Sequence, residues 1–364
     1  MTDQPIRPNF SGGCITDLMA ALLGVADGPL PAQFGAGARV LLVLDGLGWD
    51  QLQANRTILP TLSAFEGDRI TTVAPSTTAA ALTSIATALP PGEHGIIGYR
   101  MAVDGEIFNS LRWGTASQPD ARRTIPPTML QPYEPFLGHQ PVLVTKAEFR
   151  RSGFTEAHLR GGRLVGYRTT AVLVHEVARM VREGEQAVYA YYDGIDKVAH
   201  EYGLGTEYQA ELSFADQLVA DLLEALPTGT TLMVTADHGQ VDCGHDNTTI
   251  HPEVERLTAQ LSGEARFRWL HAAEGATAEL LSASREYHGH HAWVRSIEEF
   301  LDEQWFGSRG LTAEIRSRLG DVALLPFEDI GFADPDDTGP FELIGRHGSA
   351  TSAEMFVPCV TAGA

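Results

Sequence analysis

RVLLVLDG, residues 39–46, is one arginine followed by five apolar residues that stop at Asp45 and Gly46. The run is too short for a helix, and its valines and leucines leave no polar face, so it reads as a strand buried on both sides. Asp45-Gly46 is turn chemistry that ends it. Working outward, the same reading holds for residues 69–73, 141–145, Ala187–Tyr192 and Thr231–Thr235. Helical runs lie between them, at residues 77–88, 170–181 and 208–226. Buried strands alternating with helices predict an α/β fold: a mostly parallel central sheet with helices on both faces.

Three of these strands lead into residues of metal-ligand type. Asp45 follows the first, Asp196 and His200 of DGIDKVAH follow Ala187–Tyr192, and Asp237-His238 of VTADHGQ follow Thr231–Thr235. In open α/β sheets, sites form in the crevice at the carboxyl ends of the strands. Thr78 in APSTTAAALTS stands at the start of a helical run, and His347 lies in IGRHGSA. Taken singly, each is ordinary. Asp196 and His200 share the i, i+4 spacing of a salt-bridged turn, and the hydroxyls around Thr78 suit a helix cap. Together the seven residues, in five segments, read as the ligands and nucleophile of a two-metal site. Carboxylate and imidazole suit divalent zinc or manganese, and a hydroxyl beside two such ions is an activated nucleophile for phosphoryl transfer.

Other groups have plainer readings. His94 is expected to be structural, in the turn PPGEHG. His288-Gly289-His290-His291 reads as a solvent-exposed turn, and Tyr189, Tyr191 and Tyr192 as aromatics of a buried strand. Residues 241–340 read as a helical, polar cap inserted before the sheet resumes near 341–344, which leaves 1–240 and 341–364 as the catalytic core. The proline-rich stretch 100–168 reads as a second, looser insertion.

The chain has 364 residues, with 47 acidic against 26 basic side chains and a net charge of −21. Such a surface argues against a polymeric nucleic acid partner, where cations must neutralise phosphates, but not against a small phosphorylated substrate beside metal ions. Cys14, Cys243 and Cys359 are an odd number without zinc-finger spacing, which points to thiols of a reducing compartment. The first residues lack a basic stretch followed by an apolar core, and no segment reaches membrane-spanning length. A cytoplasmic protein with no membrane partner is the expectation.

The segment from Ala74 carries more information than its residue types. Ala74-Pro75-Ser76-Thr77-Thr78, Ser84-Ile85-Ala86-Thr87, Pro91 and His94-Gly95-Ile96 resemble, without gaps, the nucleophile segment of type I phosphodiesterases and nucleotide pyrophosphatases. This is a branch of the alkaline phosphatase superfamily. The other four segments follow in the family's order, and Glu354-Met355-Phe356-Val357-Pro358 resembles its closing strand. The resemblance implies an alkaline-phosphatase-like fold and a threonine nucleophile at Thr78. It implies one metal held by Asp45, Thr78, Asp237 and His238, and a second by Asp196, His200 and His347. Zinc is the expected metal, with manganese or iron as alternatives. The implied reaction is hydrolysis of a phosphoester through a phospho-threonine. One departure is Ala81, where the family carries an asparagine that helps hold a phosphate oxygen. No arginine stands near Thr78 in the sequence, which favours a diester or pyrophosphate over a monoester. Phosphonate cleavage, monoester hydrolysis and non-catalytic metal or phosphoester binding are the alternatives, and no sulfatase signature occurs.

Overall fold

The computed structural model describes residues 4–25, 30, 35, 37–245, 247–338 and 342–364. Its centre is a seven-stranded sheet. In chain order the strands are β1 Arg39–Leu44, β2 Glu66–Thr71, β3 Val142–Lys146, β4 Arg163–Tyr167, β5 Ala187–Tyr192, β6 Thr231–Thr235 and β7 Phe356–Gly363. Their order across the sheet is β2-β7-β6-β1-β5-β3-β4. β1 pairs in parallel with β5 and β6, while β7 runs antiparallel to both of its neighbours, β2 and β6. The central strands are mostly apolar because both of their faces are covered.

Helices flank the sheet. They include α1 Leu18–Leu23, α2 Thr78–Thr87, α3 Thr170–Arg182, α4 Gly194–Tyr202 and α5 Thr206–Ala225. α3 buries Leu173, Val177 and Val181, a stripe at four-residue spacing, and α5 buries Leu212, Ala215, Val219 and Leu222. Among the described residues, no helix is long and apolar enough to cross a membrane.

The structure differs from the sequence reading in three places. Residues 241–340 are not mainly helical. They hold a four-stranded antiparallel sheet of Thr258–Glu264, Phe267–Ala272, Val322–Pro326 and Ala292–Ser296, in that spatial order, with the helix Thr277–His288. Val322 and Leu324 face a separate apolar cluster, while Ala323 and Leu325 join the main core. Because the strand is covered on both faces, it lacks the polar alternation that would mark it in sequence. Second, the central sheet resumes at Phe356 rather than near 341–344. Phe341 lies outside the described residues, and Gly345–Arg346 pairs instead with Val241–Asp242. Third, the 100–168 stretch is not wholly loose: beside β3, expected at 141–145, it supplies β4, which the sequence reading did not find.

Candidate metal centre

The carboxyl ends of β1, β5 and β6 open on one edge of the sheet, and the antiparallel β7 begins there. Asp45 directly follows β1, and its backbone N–H bonds the Tyr192 carbonyl at 2.9 Å. Asp196 and His200 stand on α4, after β5. Asp237-His238 follow β6, and His347 lies on the segment leading into β7. Thr78 is the first residue of α2.

A chain of short contacts links all seven. Thr78 Oγ1 lies 3.1 Å from His238 Nε2. That nitrogen is 3.5 Å from both Asp45 Oδ1 and Asp237 Oδ2. The His238 and His347 rings stack at 3.6 Å. Asp196 Oδ1 is 3.3 Å from His200 Nε2 and 3.9 Å from His347 Nε2. Two groups result, Asp45 with Asp237 and His238, and Asp196 with His200 and His347, each with its ligand-type atoms within 4.8 Å of one another.

The backbone decides which nitrogen each imidazole presents. Nδ1 of His200 meets the Gly345 carbonyl at 2.7 Å, that of His238 the Gly239 carbonyl at 3.1 Å, and that of His347 the Ser76 carbonyl at 2.9 Å. A carbonyl only accepts, so Nδ1 carries the proton and Nε2 keeps its lone pair for the site. The carboxylates are divided in the same way. Asp45 Oδ2 accepts from the Tyr191 hydroxyl, and Asp237 Oδ1 from the N–H groups of Gly46 at 3.2 Å and His238 at 3.1 Å. Asp45 Oδ1 and Asp237 Oδ2 are buried with no hydrogen-bond partner. Two buried, unsatisfied carboxylate oxygens beside an imidazole lone pair make an oxygen–nitrogen donor set suited to a divalent cation.

Electrostatics point the same way. Burial, then the charges of Asp237 and Asp196, holds the Asp45 carboxyl well above the usual carboxylate range. Burial pushes Asp237 up, against the opposing effect of His238. Burial and then the neighbouring His238 and His200 hold His347 well below the ordinary imidazole range. A cation between these groups would offset their mutual cost. Gly46 permits the crowding. Its φ is +78°, and a Cβ there would meet Gln240 Nε2 at 2.2 Å.

Several neighbours escape a reading of the sequence. Tyr191 is paired with Val43, two residues before Asp45, so its hydroxyl shares that face. Strand alternation finds this only once the partner strand is known. Gln240 Nε2 donates to Asp196 Oδ1 at 3.0 Å. Glu264 Oε2, from the inserted sheet, lies 4.0 Å from His347 Nδ1, and burial raises that carboxyl to about 8. A cavity of about 680 Å³ has Thr78, Asp196, His200 and His347 in its wall, together with Arg112, Arg268 and Arg346. These three stand 34 or more positions from Thr78 in sequence, and the fold brings them into the wall of the same cavity.

The other groups fall as follows. His94 is buried, with Nε2 2.9 Å from Ser84 Oγ and Nδ1 accepting from the Ile96 N–H at 3.1 Å, so both nitrogens serve the turn. His288 and His291 are buried against Phe332, not solvent-exposed as expected. Ala81 is fully buried in the core, with no polar group at that position.

Residues 39–350 match the family model of type I phosphodiesterase/nucleotide pyrophosphatase. The chain belongs to this family. No curated protein matches it by sequence. Among solved structures, it is similar to murine ectonucleotide pyrophosphatase/phosphodiesterase 5, with 17% identity, 90% of this chain and 88% of that one covered, and a TM-score of 0.66. An inactive variant of that murine protein, in complex with AMP, matches at 15% identity over the same shares, also with a TM-score of 0.66. Phosphonoacetate hydrolase from Sinorhizobium meliloti 1021, in complex with phosphonoformate, matches at 18% identity over 90% of each chain, with a TM-score of 0.64. At these identities the likeness establishes a shared fold, which spans nearly the whole family member described here.

Proposed function

We propose that this protein is a two-metal phosphoester hydrolase of the phosphodiesterase/nucleotide pyrophosphatase type, with Thr78 as its nucleophile. The observation that carries the reading is the Thr78 hydroxyl 3.1 Å from His238 Nε2, beside two buried carboxylate oxygens that lack any partner. Asp45, Asp237 and His238, with the Thr78 oxygen, would hold one ion, and Asp196, His200 and His347 the other. Two divalent cations there, zinc first and manganese or iron next, would neutralise phosphoryl charge and ease removal of the hydroxyl proton.

The chain's own part is positioning. Thr78 opens α2, and the first intrahelical bond near it is the Ala81 N–H to the Thr77 carbonyl at 2.9 Å. The N–H groups of Thr78, Ala79 and Ala80 therefore precede the ladder and favour an anion at the helix start. The Thr78 Oγ1–phosphorus bond forms as the bond to the leaving oxygen breaks, and the threonine proton ends on that leaving oxygen. Water then gives its hydroxyl to phosphorus and its proton to the freed threonine oxygen. Residues 241–340 act as the specificity segment, since Asn247, Glu264 and Phe332 line the same cavity as Thr78. The substrate is a small phosphorylated molecule. An odd number of cysteines, all buried, supports a reducing, cytoplasmic setting.

The test is Thr78→Ala assayed on bis(4-nitrophenyl) phosphate after metal loading. Turnover is expected to fall by roughly a thousandfold or more, with metal content kept, because the nucleophile is lost and most ligands remain. Near-normal turnover in the loaded variant would remove Thr78 from the reaction.

A further inference from the structure

Arg346 stands one residue before His347 and lines the cavity that holds Thr78, His200 and His347. It is only partly exposed, and its Nε is buried without a hydrogen-bond partner. Among the described residues its guanidinium makes no ion pair or hydrogen bond. Buried guanidinium groups are normally paired, since the fixed fork of N–H donors is costly to leave empty.

Glu342 and Asp337 act on Arg346 only at longer range, and among the described residues no acid around the cavity forms an ion pair with it. Asp334 is bound by Arg100 at 2.5 Å and Arg268 at 3.2 Å. Asp337 lies 3.6 Å from Arg100. Glu342 accepts from Asn247 at 2.8 Å and lies 3.3 Å from His245. Asp196 is engaged by Gln240 and His200. Arg346 instead lies along Gly331, where a Cβ would come within 3.2 Å of its Cδ and 3.5 Å of its Nε. The glycine leaves that space to the side chain. Arg112 is a second cation in the wall, with only long bonds of 3.3 and 3.4 Å to the Thr338 carbonyl.

We propose that Arg346 receives a second anionic group of the substrate, a carboxylate or a phosphate separate from the phosphorus attacked by Thr78. This rests on the hydrolase reading and narrows it to small phosphoesters that carry two distinct acidic groups. A planar guanidinium grips either anion through paired charge-assisted bonds.

The test uses three 4-nitrophenyl phosphodiesters whose second arm is ethyl, carboxyethyl or phosphoethyl. In the wild type, kcat/KM for one charged arm should exceed that for ethyl by roughly ten- to a hundredfold, the scale of one charge-assisted contact. Whichever charged arm wins identifies the anion. In Arg346→Gln that ratio should collapse towards one, and Arg346→Lys should keep part of it. A purely structural role would lower all three rates and leave the ratio intact. Equal rates on all three arms in the wild type, or an unchanged ratio in Arg346→Gln, would overturn the proposal. If no diester is turned over, the hydrolase reading fails by itself. Equilibrium binding of the same three probes to wild type and Arg346→Gln then decides: charged-arm preference must depend on Arg346, and its absence or persistence overturns the assignment.

Discussion

A buried imidazole with both nitrogens bonded resists protonation, because the proton displaces a bond and strands a charge. His94 is such a group, and burial pushes it down to about 3 from an ordinary 6.5. The unfolded chain therefore binds the proton first as pH falls below about 6.5, so the contribution of His94 to stability is full above that pH and lost below it. His94→Gln should flatten the loss of unfolding free energy between pH 6 and 4 by about 1.4 kcal/mol per pH unit, measured by urea titration at each pH. An unchanged slope would mean that His94 titrates normally. His200, His238 and His347 differ in one respect: each spends Nδ1 on a backbone carbonyl and keeps Nε2 for the site. The residue types of the site are legible in the sequence. The nitrogen each histidine presents is not, because the carbonyls that decide it come from Gly345, Gly239 and Ser76, whose positions depend on the fold. Arg346 escaped for the same reason, being anonymous until the cavity closes around it.

At the scale of elements, strand ends explain the site. Parallel strands deliver Asp45, Asp196 and Asp237 to one edge, and the single antiparallel strand starts there and so brings His347 with it. β1, β5 and β6 are readable in sequence because both of their faces are covered and the run is mostly apolar. β4 and the start of β2 are not, since edge strands are held by backbone pairing and carry polar residues such as Glu66 and Asp68. Besides the apolar contacts of Ala323 and Leu325, a fully buried ion pair joins the four-stranded sheet to the segment before β7. Arg266 Nε donates to Glu354 Oε1 at 2.7 Å, and Glu354 also accepts from the Ser349 N–H at 2.9 Å, two residues after His347. Arg266→Ala leaves that carboxylate buried without its cation, a change that costs about 3–5 kcal/mol. The urea midpoint should fall accordingly, and a midpoint within error of wild type would show that the pair does not hold the insertion.

For the whole molecule, charge and site must be kept apart. A net charge of −21 sits on a chain whose cavity contains ligand-type carboxylates, yet the same cavity is lined by three arginines and by the imidazoles of His200 and His347. Global acidity would disfavour polyanions, while bound cations would make the cavity locally attractive to a small phosphorylated molecule. Residues from both sides of position 240, such as Thr78 and His200 on one and Asn247 and Glu264 on the other, line it, so under the proposed function both parts of the chain would shape the substrate site. The proposed reaction requires two cations gathered around one threonine hydroxyl. Calorimetric titration of chelator-treated protein with zinc tests this most directly. Two equivalents per chain are expected, with one lost in Asp237→Ala and the other in His200→Ala. Binding of no zinc, with diester turnover persisting in chelator, would contradict it.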